Sequence, residues 1–321
     1  MPRERVVCVL GMHRSGTSLV TRILNLLGVD LGPDERLLEP GPDNPLGFWE
    51  HEEIVELNDK ILGLLGGSWH EPPAFEPGWE RSPALSGLRG VALEMVRREF
   101  GRSELWGWKD PRACLTLPFW QLLIPGMRYV ICLRNPVDVA RSLARRDDFP
   151  AEKSGRLWAE HVEASLRHTA GEERLILFYE DVMADWPRAL ARLGGFIGDP
   201  DATGFDLVRT AIWDVVREEL QHHRSSTRDV VEHPELPMRV KALFVVLRGY
   251  VDLVDGRGKA WPEKEDASAL WSSRRDRRAL REAISLLVRT AKEADMRELR
   301  AVPLMALLAG DTVRAAVRPD P

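Results

Sequence analysis

The chain has 321 residues, a formal net charge of −5 and a sequence pI near 6.0, a balance that argues against a nucleic-acid or anionic-membrane binder. Its 44% hydrophobic content supports a sizeable core, and its length suits one α/β domain with appendages. The three cysteines show neither disulfide nor zinc spacing, which favours a reducing cytoplasmic setting. The first predicted strand begins within five residues, so we expect no signal peptide, and no apolar run is long enough to span a bilayer.

Strand-like and helix-like segments alternate through the first 200 residues. This alternation predicts a three-layer α/β fold, in which helices flank both faces of a central parallel sheet. Ligands of such sheets bind beyond the carboxyl ends of the strands. The predicted strands are 5–10, 105–108, 128–133 and 175–179, and the predicted helices are 16–27, 51–65, 84–100, 136–146, 153–169 and 187–197.

The pattern weakens after about residue 200. Helical spacing recurs at 207–221, 238–254 and 276–309, and a polar segment covers 222–237. We therefore predict a first domain over 1–235 and a helical C-terminal extension over 236–321 that packs on the same domain.

The most informative segment joins the first strand to the first helix. It reads Gly11-Met12-His13-Arg14-Ser15-Gly16-Thr17-Ser18. The G-x-x-x-x-G spacing is that of a phosphate-binding loop, whose amides and helix dipole attract anions. An NTPase would carry Lys where this chain has Thr17, and the basic side chain lies inside the loop at Arg14 instead. We expect a phosphate-bearing anion that is not handled in the NTPase manner.

Polar side chains also follow the three later strands. Lys109, Arg134 and Tyr179 come at or directly after strand ends, so they should meet the loop at one edge of the sheet. Asn135 and Pro136 suit the N-cap and first position of the next helix. Ser142 and Arg146 share one face of that helix, where they could clamp a second phosphate together with Arg134.

Structural alternatives exist for several of these residues. Arg134 could pair with Asp138, and Lys109 could form a local ion pair with Asp110 at a turn. Thr17 and Ser18 could be first-turn caps.

The ordered motifs resemble the P-loop sulfotransferases, which use 3′-phosphoadenosine 5′-phosphosulfate (PAPS), over roughly residues 5–230. Residues 13–18 resemble the family's 5′-phosphosulfate loop, and Trp108-Lys109-Asp110-Pro111 resembles the Lys-Asp-Pro segment of the tyrosylprotein branch. The family's 3′-phosphate site is similar to Leu133-Arg134-Asn135-Pro136 together with Ser142. The family's Tyr-Glu-Asp-Leu strand end is similar to Phe178-Tyr179-Glu180-Asp181-Val182. Residues 44–50 and His222-His223-Arg224 resemble bacterial members.

The resemblance implies transfer of a sulfuryl group from PAPS to a hydroxyl of a small-molecule, glycan or glycolipid acceptor, with release of 3′,5′-adenosine bisphosphate (PAP). Lys109 would meet the bridging or sulfuryl oxygens, and no metal is expected. A P-loop kinase that uses ATP is the alternative, although it would need the missing loop Lys, and a non-catalytic nucleotide-binding module is a third. The expected PAPS contacts are Arg14, Ser15, Gly16, Thr17, Ser18, Arg134, Ser142, Arg146, Tyr179 and Arg224.

The acceptor hydroxyl needs a base within hydrogen-bond reach. We favour Glu50, which closes the motif of residues 44–50, and then His51. Glu50 also lies where an acid favours a helix N-terminus, so a structural role remains open. The other candidates are Glu35, Glu39 and His70. Six of the eleven Trp residues, Trp69 among them, lie in the first 120 residues and could stack on a sugar or aryl acceptor, but we expect Trp106 and Trp120 to be core. The sequence assigns neither the acceptor nor the oligomeric state.

Overall fold

A four-stranded parallel sheet forms the centre of the described fold, in the order β2-β1-β3-β4. Its strands are β1 (Arg5–Leu10), β2 (Leu105–Lys109), β3 (Arg128–Leu133) and β4 (Arg174–Phe178). The computed structural model describes residues 5–41, 44–45, 47–198, 225–254, 282–283 and 285. In the sheet register Cys8 lies between Trp108 and Tyr129. All neighbouring strands are parallel, so their carboxyl ends share one edge, and the predicted α/β class is confirmed.

The predicted helices are found within one or two residues of their expected bounds. They are α1 (Thr17–Leu26), α2 (Glu52–Leu64), α3 (Ser86–Phe100), α5 (Pro136–Asp147), α6 (Ala151–His168), α8 (Trp186–Ile197) and α10 (Met238–Val254). Three further helices were not predicted: α4 (Ala113–Leu123), α7 (Tyr179–Ala184) and α9 (Thr227–Glu232). Short 3₁₀ turns cover Asp34–Arg36, Trp79–Arg81 and Pro83–Leu85.

Helix α4 escaped prediction because its sequence is apolar on nearly every face and contains Pro118. A helix that is buried all round shows no amphipathic period, and an internal proline argues against a helix. Tyr179 also differs from expectation, because it begins α7 rather than ending the fourth strand.

The chain divides into two compact units. The first comprises residues 1–134 and 173–224 and contains the sheet with α1 to α4, α7 and α8; the second comprises 135–172 and 225–321 and contains α5, α6, α9 and α10. The predicted helix 207–221 lies outside the described residues, as does nearly all of 276–309. The predicted boundary at residue 235 stays a prediction. No helix in the described ranges is long and apolar enough to cross a membrane.

The core of the first unit lies between the sheet and helices α1 and α8. A second, aromatic layer follows β2: Phe100 stacks on Trp106 at 4.3 Å between ring centroids, and Trp108 lies 5.3 Å from Trp120. Trp106 and Trp120 are both buried, as expected of core residues. The apolar cluster of sheet, α1 and α8 includes Val7, Val9, Val20, Ile23, Leu24, Val130, Leu177, Leu190, Leu193 and Ile197.

In the second unit, α5 begins as its sequence predicts. The Asn135 side chain caps the helix by accepting a hydrogen bond from the Val137 amide at 2.9 Å, and Pro136 occupies the first turn. Asp138 accepts hydrogen bonds from the backbone and hydroxyl of Ser225, the latter at 2.6 Å.

Candidate functional site

The loop between β1 and α1 wraps tightly enough to exclude side chains at both glycines. Arg14 (φ 68°) and Gly16 (φ 80°) are left-handed. A Cβ at Gly16 would lie 2.3 Å from Cδ2 of Tyr179, and one at Gly11 would lie 2.6 Å from the Cys132 carbonyl oxygen. Helix α1 then starts with no side-chain cap, so its first amides point out of the helix without a partner from it. This is the geometry of an anion cradle.

The Ser15 hydroxyl supports the same interpretation. Ser15 is 1% exposed, and its Oγ has no hydrogen-bond partner within the described part of the chain. Buried hydroxyls are nearly always hydrogen-bonded, so an orphaned one beside a glycine cradle fits a missing ligand oxygen. The donor set of amides, hydroxyl and guanidinium suits a phosphate or sulfate group.

Arg134 and Tyr179 meet this loop as the strand-end argument predicts. Arg134 Nη1 donates to the Arg14 carbonyl oxygen at 3.1 Å, and its guanidinium lies 4.6 Å from the centre of the Tyr179 ring. The same ring blocks the Cβ position of Gly16. The side chain that follows β3 therefore reaches the backbone of the loop that follows β1, and the side chain after β4 lies against both.

Lys109 and Glu50 form a buried ion pair next to the first turn of α1. The Lys109 ammonium donates to Glu50 Oε1, and it lies 3.2 Å from Ser18 Oγ. Lys109 is 1% exposed and Glu50 6%. Burial raises the pKa of Glu50, and the positive charge of Lys109 offsets only part of that rise. A carboxyl group with a raised pKa binds a proton more readily near neutral pH, which is the property a general base needs.

An unusual backbone conformation delivers Glu50 to this position. Trp49 has φ 57°, a left-handed value that is a genuine outlier for so bulky a residue. The Arg22 guanidinium, 4.5 Å from the Trp49 ring centre, packs on the indole. Ser18 Oγ also donates to the Phe48 carbonyl oxygen at 3.1 Å, so one hydroxyl links α1, the segment that carries Glu50 and the Lys109 amine.

His51 takes a different direction from Glu50. Its ring lies 5.9 Å from Phe100 and close to Gly32, and within the described residues neither ring nitrogen has a hydrogen-bond partner. Burial lowers its pKa, so the neutral form is favoured. Of the two favoured base candidates, Glu50 is the one that contacts Lys109.

The remaining predicted donor contacts lie elsewhere in the chain. Ser142 is buried in α5, and Arg146 pairs with Asp147 at 2.8 Å; both belong to the second unit. Arg224 lies outside the described residues. Their roles as phosphate contacts stay predictions.

Trp69, one of the Trp residues that the sequence offers as a stacking partner for the acceptor, packs on the loop itself. Its ring lies 4.2 Å from that of His13, the residue before Arg14. A turn closed by two hydrogen bonds between Ser68 and Glu71 holds it there, the backbone one at 2.9 Å. A single aromatic residue in an irregular loop gives no periodic signal, so the sequence does not separate Trp69 from the other candidate Trp residues.

Comparison with known proteins identifies the family of this chain. A family profile described as "Sulfotransferase family" matches residues 7–202, and no curated protein matches the chain significantly. Similar solved structures include the sulfotransferase domain from the Synechococcus PCC 7002 olefin synthase (18% identity, TM-score 0.42, 70% of this chain and 85% of that one). A second is retinol dehydratase in complex with androsterone and inactive cofactor PAP, with 16% identity and a TM-score of 0.37 over 73% of this chain and 68% of that one. A third is sulfotransferase STF1 from Mycobacterium tuberculosis H37Rv, with 15% identity and a TM-score of 0.38 over 65% of this chain and 71% of that one. Because the profile covers more than half of its length, this chain belongs to the sulfotransferase family.

Proposed function

We propose that the protein is a PAPS-dependent sulfotransferase that acts on a hydroxyl group of a small-molecule, glycan or glycolipid acceptor and releases PAP. One observation carries the proposal. Arg134 reaches the backbone of the Arg14 loop, while the first turn of α1 presents Ser18 to the Lys109–Glu50 pair. An anion cradle and an acid–base pair thus share a single helix start.

The donor contacts follow from charge and geometry. The Arg14 guanidinium, the Ser15 hydroxyl and the amides of residues 16–18 would bind the 5′-phosphosulfate, because charge-assisted hydrogen bonds are the strong ones. Arg134, with Tyr179 stacked on it, would bind the 3′-phosphate. Ser142, Arg146 and Arg224 are the further proposed contacts of the nucleotide.

The Lys109–Glu50 pair supplies the chemistry. Glu50 accepts the proton of the acceptor hydroxyl as that oxygen bonds to sulfur, and Lys109 stabilises the charge that builds on the oxygen left on the phosphate. Sulfuryl transfer parallels phosphoryl transfer, in which positioning and electrostatics carry most of the catalysis.

Trp69 is the proposed wall of the acceptor site. It follows α2, whose Asn58 is hydrogen-bonded to Asp110 just beyond β2. Strand β2 and Arg134 lie on opposite sides of β1 in the sheet order. The nucleotide extends toward Arg134, so the Trp69 side of the loop is left for the acceptor. An indole face suits an aryl or sugar ring.

The decisive assay uses PAPS labelled with ³⁵S and a panel of phenols, aliphatic alcohols and glycosides, without magnesium. We expect label on at least one hydroxyl acceptor and equal formation of PAP. Glu50→Gln should abolish transfer while PAP still binds. Glu53→Gln is the matched control, because Glu53 pairs with Arg98 on the α2 surface, and it should keep full activity. A parallel assay with ATP and magnesium tests the kinase alternative: transfer of the γ-phosphate with no sulfuryl transfer from PAPS would refute the proposal.

A further inference from the structure

Asn58 is a fully buried amide in the middle of α2 whose side chain is hydrogen-bonded to Asp110, just beyond β2, and to two residues of α4. Its Oδ1 accepts from Thr116 Oγ1 at 2.6 Å and from Trp120 Nε1 at 2.8 Å, and its Nδ2 donates to Asp110 Oδ2 at 2.7 Å. The indole N–H can only donate and the carboxylate can only accept, so these partners fix the orientation of the amide. A buried polar group is tolerated when it is satisfied in this way.

Asp110 is equally well compensated. It has no exposed surface, and its Oδ1 accepts from the amide of Arg112 at 3.1 Å and from Arg112 Nη1 at 3.0 Å. Arg112 Nε in turn donates to Asp59 Oδ1 at 2.6 Å. Burial lowers the pKa of Arg112, but Asp110 and Asp59 raise it by more, so the guanidinium stays charged. A buried carboxylate without such partners would be strongly destabilising.

These bonds join the two segments that carry the candidate catalytic pair. Asp110 directly follows Lys109 at the end of β2, and Glu50 lies two residues before the start of α2. Both segments belong to the first unit. The Asn58–Asp110 hydrogen bond therefore fixes α2 against the end of β2 close to the point where Glu50 meets Lys109.

We propose that Asn58 is a positioning residue for sulfuryl transfer: through Asp110 it holds α2 and the end of β2 in the arrangement that brings the Glu50 carboxyl group to the Lys109 amine. The inference rests on the proposed function for the catalytic meaning of that pair. A positioning role differs from an ordinary stabilising role in what its loss changes. Removing a stabilising hydrogen bond elsewhere in the fold would leave the Lys109–Glu50 contact in place, whereas removing the Asn58 hydrogen bonds should displace it.

The first test replaces Asn58 with Leu, which has a similar size and no hydrogen-bonding groups. A misplacement of about 1 Å can lower turnover by about 100-fold. We therefore expect kcat for sulfuryl transfer to fall by about tenfold to 100-fold, and KM for PAPS to stay within about twofold because the donor loop is untouched. Thr169→Val is the matched stability control: it removes the buried hydrogen bond to the Ser165 carbonyl oxygen in the other unit and should leave kcat unchanged.

The second test exchanges the two partners and remains informative if the Leu variant does not fold. Asn58→Asp alone places two carboxyl groups against each other, and Asp110→Asn alone leaves Arg112 without its buried partner. The double variant restores one amide-to-carboxylate hydrogen bond with its direction reversed. We expect each single variant to lose at least tenfold in kcat. The double variant regains the hydrogen bond between the two side chains but not the Asp110–Arg112 ion pair, so it should recover part of the loss and exceed the kcat that independent sites would give.

Three outcomes would overturn the positioning role. The first is parental kcat in the folded Asn58→Leu variant, and the second is no recovery in the double variant. The third is a crystal structure of Asn58→Leu in which the Lys109–Glu50 contact is unchanged. The crystallographic result does not depend on turnover, so it decides the matter even if the parent protein shows no sulfuryl transfer and the proposed function fails.

Discussion

Replacing Lys109 with Met tests whether the Lys109–Glu50 ion pair is as buried and as tightly coupled as its geometry indicates. The substitution keeps the volume of the side chain but leaves the Glu50 carboxylate unpaired at 6% exposure. Removing one partner of a buried ion pair costs about 3–5 kcal/mol of unfolding free energy. Burial already raises the pKa of Glu50, and Lys109 is the main group that lowers it, so in the variant that pKa rises further.

The sign of the pH dependence follows from this shift. An acid whose pKa is higher in the folded than in the unfolded state, where it is about 4.3, binds more protons when folded. Stability then falls as pH rises from the unfolded pKa through the folded one. The deficit of Lys109→Met relative to the parent should therefore be largest at pH 8 and smaller at pH 5, and each further unit of rise in the Glu50 pKa accounts for at most about 1.4 kcal/mol of that difference.

Urea unfolding between pH 5 and pH 8 measures this deficit. Adding Glu50→Gln to Lys109→Met should remove the pH dependence and recover most of the stability, because no charge is then left unpaired. Lys60→Met is the control: its pair with Glu56 lies on the surface of α2, and its loss should change stability by no more than about 0.5 kcal/mol. A deficit of equal size at pH 5 and pH 8, or one that Glu50→Gln does not relieve, would refute the coupling.

Three further predictions concern the donor and acceptor sides of the site. Gly16→Ala should abolish the rise in melting temperature that PAP produces, because the new Cβ would collide with the Tyr179 ring. The control is Gly28→Ala, where the backbone is also left-handed but the space is open; it should keep that rise, and equal shifts in both variants would contradict the cradle geometry. Tyr179→Ala should weaken PAP binding by about two- to fivefold through loss of the ring stacked on Arg134, whereas Tyr179→Phe should bind normally by calorimetry. Trp69→Ala should raise KM for the acceptor at least fivefold and leave the PAP-induced rise in melting temperature unchanged, while Trp69→Phe should keep KM close to the parental value. An unchanged acceptor KM in Trp69→Ala would remove Trp69 from the acceptor site.

The strand ends were predictable because two strong local signals coincide there. Buried apolar runs mark β1 and β3, and a glycine loop or an Asn-Pro pair follows them, so the sequence indicates both the strands and the edge they share. The meeting of Arg134 with the Arg14 loop follows from that topology alone. The fold class and most helix bounds rest on the same periodicities.

Side-chain pairing across distant segments was not predictable in this way. The choice of Glu50 over His51 as the partner of Lys109 depends on the left-handed backbone at Trp49, and no propensity favours that conformation at a tryptophan. The hydrogen bonds of Asn58 were equally hidden, because a single polar residue in an amphipathic helix suggests only an interruption of its apolar face. Both features arise from tertiary packing between distant segments, which local sequence patterns do not report.

Binding of PAP is the measurement that tests the two-arginine nucleotide site most directly. Without magnesium, PAP should raise the melting temperature of the protein, ATP with magnesium should raise it much less, and Arg14→Ala or Arg134→Ala should each remove the PAP effect. A larger shift with ATP and magnesium, or a full PAP shift in either arginine variant, would contradict the proposed site.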